Sequence, residues 1–396
     1  MPHELPPTAG LPPRWSDLAL SGSDDLAGAL AGFLGVGELQ LESSASAALV
    51  IALDHLKTRT SRRTVIIPGY TCPLVVIAAK QAGCRVIACD TVAGGFDLDL
   101  DHLGRLIGPD TLAVIPSHYG GALTDVARVR DVVRSASPEI AVIEDAAQAF
   151  GATWAGKPVG IESDIGIYSF GVGKGFTIFK GGGLVARDPD IRDGLRASAK
   201  RLVRPDFGME ARRTIELVFY HLLYNPRGLA FAYGRPRRHW LARGRPERAI
   251  GDEHAPTVVL HPVGAFRRRV GVHSLPRLAA HIADTRARRQ ALARMLEASH
   301  SRLKPFLGGG EPNGFFLFAM ADTAADLDTV LARSWTSPFG ITKLFMHAIG
   351  RYAALMPMLE PSPTPNAERL AATTLSITTS GFMTDADMAA VAEAVR

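Results

Sequence analysis

The chain has 396 residues, 47% of them hydrophobic and 21% charged, and a net charge of +5. This is enough chain for two domains around a large core, with the balance of an ordinary globular protein rather than a disordered or fibrous one. Three cysteines, Cys72, Cys84 and Cys89, have no metal-ligand spacing, and so sparse and odd a set fits a reducing compartment better than a disulfide framework.

Residues 1–13 are proline-rich and carry no apolar signal core, so no secretion signal is expected and residues 1–15 read as an N-terminal tail. Residues 14–60 read as helical, with the serine-rich Ser43-Ser44-Ala45-Ser46 opening an apolar helix from Ala47. Strands and helices then alternate. Strands are expected at Thr64–Ile67, Arg85–Cys89, Leu112–Pro116, Ile140–Ile143, Ile165–Phe170 and Leu184–Ala186, with helices at Leu74–Gln81 and Val126–Arg134. Continuous apolar strands separated by helices predict a mostly parallel sheet covered on both faces. Residues 16–200 therefore form one large α/β domain.

The pattern breaks in residues 201–262, which mix arginine, aromatics and proline. Ile215, Val218, Phe219, Leu222 and Leu223 fall at helical spacing. Thr214 to Tyr233 is the most apolar stretch, but Glu216, His221, Asn225, Pro226 and Arg227 interrupt it and it fails as a membrane span. A helical cover, packed on the protein itself or at a dimer interface, is expected here in preference to a peripheral membrane contact. Residues 263–396 read as a smaller α+β domain, with a charged helix at Leu275–Ser299, strands at Phe315–Ala319 and Leu375–Thr378, and a closing helix at Asp385–Val395.

The chemistry concentrates in two segments. Lys174 lies in Ser169-Phe170-Gly171-Val172-Gly173-Lys174, just before Gly181-Gly182-Gly183. Asp145 lies in Glu144-Asp145-Ala146-Ala147-Gln148, at the end of an apolar run. A lysine on a glycine-rich turn supplies an amine for a Schiff base, and an aspartate at a strand end can hold a protonated pyridine nitrogen. Together they point to pyridoxal phosphate. No metal site is expected.

These blocks resemble the DegT/DnrJ/EryC1/StrS sugar aminotransferases, within the fold-type I pyridoxal phosphate enzymes. The likeness covers most of residues 40–190 and returns near Asn366–Leu370 and Thr384–Val395. It implies that Lys174 is the Schiff-base lysine, set by Ser169-Phe170 before it and the glycine pair after it. Lys180 stands where the family usually has glutamate. Asp145 would hold the ring nitrogen and Gln148 would contact the ring hydroxyl, while Glu144 is structural. Ser46 and Ala47, in Ala45-Ser46-Ala47, match the phosphate turn, and Ser169 adds a hydroxyl. Cys72 falls where the family stacks an aromatic on the ring, with Tyr70 the alternative, and His118 is a candidate for the site lining. The family's phosphate-binding asparagine from a neighbouring subunit has no counterpart in His261–Phe266.

The resemblance implies amino transfer from an amino acid, glutamate above all, to a keto-sugar that is nucleotide-linked, by a cytoplasmic homodimer without a nucleic-acid partner. The alternatives are a non-sugar ketone or aldehyde as acceptor, or a regulatory or scaffold protein without turnover. A sugar dehydratase of this family would replace the lysine, so Lys174 speaks against one.

Overall fold

The computed structural model describes residues 3–299 and 301–396. The first part contains α1 (Leu26–Leu34), β1 (Gln40–Glu42), α2 (Ala45–Arg59), β2 (Thr64–Pro68), α3 (Pro73–Gln81), β3 (Arg85–Cys89) and α4 (Leu100–Leu106). Next come β4 (Thr111–Val114), α5 (Val126–Ala136), β5 (Ala141–Asp145), the short β6 (Thr153–Trp154) and β7 (Lys157–Pro158), β8 (Ile165–Ser169) and β9 (Gly182–Val185). The helical region is α6 (Pro189–Leu202), α7 (Phe207–Leu223), α8 (Pro226–Leu229), α9 (Arg235–Leu241) and α10 (Pro246–Ile250), followed by α11 (Ala265–Ser274) and α12 (Leu278–Ala298). The last part is β10 (Leu303–Phe306), β11 (Phe316–Ala321), α13 (Ala324–Ser334), β12 (Ile341–Thr342), β13 (Leu359–Glu360), α14 (Pro365–Thr373), β14 (Thr374–Thr378) and α15 (Asp385–Ala394).

The large sheet runs β1-β9-β8-β5-β4-β2-β3-β13. Neighbours from β8 to β13 pair in parallel, and β9 is antiparallel to both β8 and β1. Every residue of β2, β4 and β5 is buried, which is why these strands read as unbroken apolar runs. Two helices that cover the sheet start on side-chain caps: Asp99 accepts the His102 N–H at 2.9 Å and Asp125 the Arg128 N–H at 3.3 Å. A second sheet, β10-β11-β14-β12, is antiparallel and packs on α12, α13 and α15.

Three expectations change. Residues 14–60 are not continuously helical, because Gln40–Glu42 forms β1 against β9. Residues 3–15 are no tail: Leu5 is buried in the core of the second sheet with Leu317, Ile341 and Ile377, and its N–H meets the Pro338 carbonyl at 2.8 Å. Nor is residue 263 a clean boundary. β13 joins the large sheet beside β3, and Phe315, Phe316 and Phe318 share one core with Phe96, Tyr119 and Phe150.

Residues 207–250 are largely helical, with Ile215 to Leu223 at helical spacing in α7, whereas residues 251–262 form no helix. Buried Arg237 anchors the helical stretch through Glu4 at 3.1 Å, and Arg238 reaches the other Glu4 oxygen at 2.6 Å. In α7 only Leu217 is fully buried, so within one chain the face of Ile215, Val218, Phe219 and Leu222 has no cover. Glu4→Ala leaves Arg237 the carbonyls of Ser337 and Ile341 but takes away its carboxylate. Removing one partner of a buried pair costs about 3 kcal/mol. Urea unfolding should show a loss of that order; a loss within error would mean that the N-terminal segment is not part of the cooperative fold.

Candidate active site

Three strand ends of the large sheet, at β4, β5 and β8, meet at one edge, where parallel α/β sheets place ligands. β8 ends at Ser169, and the chain then loops to β9 through Lys174. Gly173 (φ 83°) and Gly175 (φ 76°) flank the lysine in the left-handed region. A Cβ on Gly175 would lie 2.0 Å from the Phe315 ring, so that position accepts only glycine. The N-terminal segment braces the loop, since the Leu11 N–H donates to the Gly175 carbonyl at 2.8 Å. Phe179 holds φ at 72° without being glycine, a strain of about 1–3 kcal/mol stored beside the lysine loop.

Asp145 closes β5 and is buried. Its carbonyl accepts the His118 N–H at 2.8 Å, and Oδ1 accepts the Ala147 N–H at 3.0 Å, which leaves Oδ2 for a ligand. Burial raises its pKa, against the Ala147 hydrogen bond and the charges of Lys174 and His118. Burial lowers the pKa of half-buried Lys174, against the pull of Cys72 and Asp145, and Lys180 lowers it further. Burial pushes the Cys72 thiol up to about 11, and the Lys174 charge opposes this. Lys174, Asp145 and Cys72 therefore form one electrostatic group, in which the amine is biased toward its neutral, nucleophilic form.

The start of α2 lies beside this group. Ser44 is the cap, and its Oγ accepts the Ala47 N–H at 3.0 Å. Ala47 thus spends its N–H on the cap, and the N–H groups of Ala45 and Ser46 are those left at the helix end. Gly182 presses on the same turn: a Cβ there would lie 2.2 Å from the Ser44 carbonyl carbon. Ser169 stands at the end of β8, where its Oγ accepts the Gly171 N–H at 3.4 Å. Gln148 is buried, and Asn313 fixes its turn by donating to its carbonyl at 2.8 Å.

Two candidates are held within the core. His118 is buried with both ring nitrogens engaged, Nε2 with Glu144 at 2.9 Å and Nδ1 as acceptor of the Thr124 N–H at 3.2 Å. It ties β4 to β5, and its backbone N–H and charge act on Asp145 while both ring nitrogens are taken up within the protein. Glu144 is held low by the hydrogen bonds from His118 and Gly160, which outweigh its burial. Tyr70 is buried and packs against Phe345, Phe96 and Tyr119 at ring distances of 5.4, 6.0 and 6.1 Å. Cys72, not Tyr70, faces Lys174. Asn313 and the brace from Leu11 escaped the sequence reading, because a lone asparagine in a Pro-Asn-Gly turn and a proline-rich leader carry no periodic signal.

The residues fit pyridoxal phosphate. The glycine cradle at 181–182, the two N–H groups of α2 and the Ser46 and Ser169 hydroxyls suit its phosphate. The open Oδ2 of Asp145 suits a protonated ring nitrogen, and Lys174 supplies the amine.

Gly182→Ala must displace the Ser44–Ala45 peptide. The affinity for pyridoxal phosphate, followed by absorbance, should fall about tenfold, the loss of one charge-assisted hydrogen bond. An unchanged affinity would show that the helix end does not hold the phosphate. Asp145→Asn removes a charge that stabilises the protonated amine, so in cofactor-free protein the midpoint for Lys174 acetylation should move to lower pH. Mass spectrometry of the Lys174 peptide reads this, and an upward shift would contradict the coupling.

A sequence model of the DegT/DnrJ/EryC1/StrS aminotransferase family matches residues 17–216. The chain is 32% identical over 164 residues to protein MosB of Rhizobium meliloti, covering 41% of this chain and 32% of that protein. It is 31% identical over 192 residues to GDP-perosamine synthase of Caulobacter vibrioides, covering 47% of this chain and 49% of that one. The chain thus matches a third to a half of the length of these relatives. Its fold is like that of DesI, solved in the presence of its TDP-sugar product, with 20% identity, a TM-score of 0.73 and coverage of 99% and 93% of the two chains. The match to the family model, over half of the chain, places it in the DegT/DnrJ/EryC1/StrS aminotransferase family.

Proposed function

We propose that the protein carries an amino group from an amino acid such as glutamate to a keto-sugar, with pyridoxal phosphate as the carrier and a nucleotide-linked sugar as the acceptor. The observation that carries this reading is buried Asp145 at the end of β5, interacting electrostatically with half-buried Lys174 of the loop after β8, near the N–H groups of α2. Membership of an aminotransferase family and the names of the relatives support it. The homodimer and the cytoplasmic location belong to the same reading; among the described residues no helix is long and apolar enough to cross a membrane.

When bound, pyridoxal phosphate supplies an aldehyde that takes up the amino group and a ring that accepts the electron pair of a broken Cα–H bond. The protein does the rest. Ala45, Ser46 and Ser169 would hold the phosphate. Asp145 would face the ring nitrogen, a role for which its hydrogen-bonded carboxylate is placed. Lys174 Nζ, biased to the neutral amine, would take up and release the proton of the donor's Cα. Lys180 is exposed, and its backbone carbonyl is held by Arg267.

Borohydride reduction in the presence of pyridoxal phosphate should place the pyridoxyl mass on the Lys174 peptide. Lys174→Ala should lose at least about 100-fold in the glutamate half-reaction, the span of a missing acid–base group, whereas Lys180→Ala keeps the label. A label on Lys180, or none, would sink the assignment. A panel of keto-sugar nucleotides and simple ketones, offered to the amine-loaded protein, separates the sugar from the non-sugar acceptor.

A further inference from the structure

The solvent side of α7 is inverted. The positions it turns outward, three and four residues apart, are Gly208, Ala211, Arg212, Ile215, Val218, Phe219 and Leu222. Ile215, Val218, Phe219 and Leu222 are 56%, 40%, 54% and 51% exposed. The one charge on that face, Arg212, is paired with Glu216 at 3.0 Å. An amphipathic helix that rests on its own protein shows the opposite arrangement.

The next stretch adds charge. From α8 through α9 the exposed positions every fourth residue are Arg227, Phe231, Arg235, His239 and Arg243. Phe231 is 64% exposed, and the Arg235 guanidinium lies 5.8 Å over its ring. Much of the arginine here is neutralised: Arg212 and Arg213 pair with Glu216, buried Arg237 and Arg238 with Glu4, and Arg245 and Arg248 with Glu253. The charge that the stripe offers outward comes from Arg235 and Arg243, beside the bare apolar face.

We infer that this segment seats the protein on the surface of an anionic phospholipid bilayer. The apolar side chains of α7 and Phe231 enter the headgroup region and the arginines meet lipid phosphates. Apolar side chains beside arginines are the composition of helices that lie in a membrane interface. The stripe of α9 favours the anionic surface over a second copy, because a two-fold contact that takes in α9 would set Arg235 and Arg243 against their own counterparts. The inner side of α7 reaches the lysine loop: Tyr220 meets the Phe179 ring at 6.4 Å, and Glu210 pairs with buried Arg267 at 2.7 Å, whose other arm holds the Lys180 carbonyl. A bilayer on the outer side would lie about one helix diameter, roughly 10 Å, from that loop. The inference rests on exposure and charge, not on the reaction proposed above.

The test is flotation of the full chain, loaded with pyridoxal phosphate, on vesicles of phosphatidylcholine with or without phosphatidylglycerol. The protein should float with the anionic vesicles only, and less at high salt. Phe219→Glu with Leu222→Glu should lower vesicle binding at least about tenfold, with the cofactor absorbance unchanged. Arg235→Glu with Arg243→Glu should weaken it as well, and serves as the second probe if the first pair does not fold. No flotation, equal flotation on neutral vesicles, or binding unmoved by both pairs overturns the inference. So does a dimer that Phe219→Glu with Leu222→Glu dissociates in sedimentation, since a second copy would then cover the face.

Discussion

Gly182 touches the Ser44–Ala45 peptide, and much of the site depends on that contact. It brings the strand after the lysine loop against the first turn of α2, two segments far apart in sequence. Because no side chain intervenes, the anion-binding end of a helix and the loop that carries the amine share one wall. Asp145 completes the group from a third strand. None of these residues is unusual alone; their chemistry comes from a backbone approach that only glycine permits.

Burial then sets the electrostatics. The same removal from water biases Lys174 toward the neutral amine, raises the Asp145 carboxyl and suppresses the Cys72 thiol. Cys72 is therefore a poor nucleophile where it stands and acts as a small apolar wall, and Lys174 is left as the reactive group. His118 and Glu144 form a second buried pair, which fixes the strand ends beside Asp145.

The parallel strands and the lysine–aspartate pair were legible because their signals are local: apolar runs, a glycine-rich turn, an acid at a strand end. β1 was not, since three residues of mixed burial have no readable period. Tyr70 and His118 were placed on the correct edge, but their orientation depends on Phe345, Phe96 and Glu144, which the chain supplies from elsewhere. The role of Asn313 was invisible for the same reason, as its partner is a carbonyl 165 residues away. The spacing of α7 revealed a helix and its apolar face; which way the face points is decided by the elements packed beneath it.

The N-terminal segment has a consequence for how the molecule is made. Leu5 packs with residues of the final strands, and Glu4 pairs with an arginine 233 positions later. Both leave the ribosome long before their partners exist. The large sheet can assemble while they wait, but the brace on the lysine loop and the second core close only once the distal strands arrive. Contacts this distant slow folding and make it finish late. The reactive loop is thus the last part to be fastened, and a chain cut short before β14 would carry every residue of the catalytic group without the second core on which its brace depends.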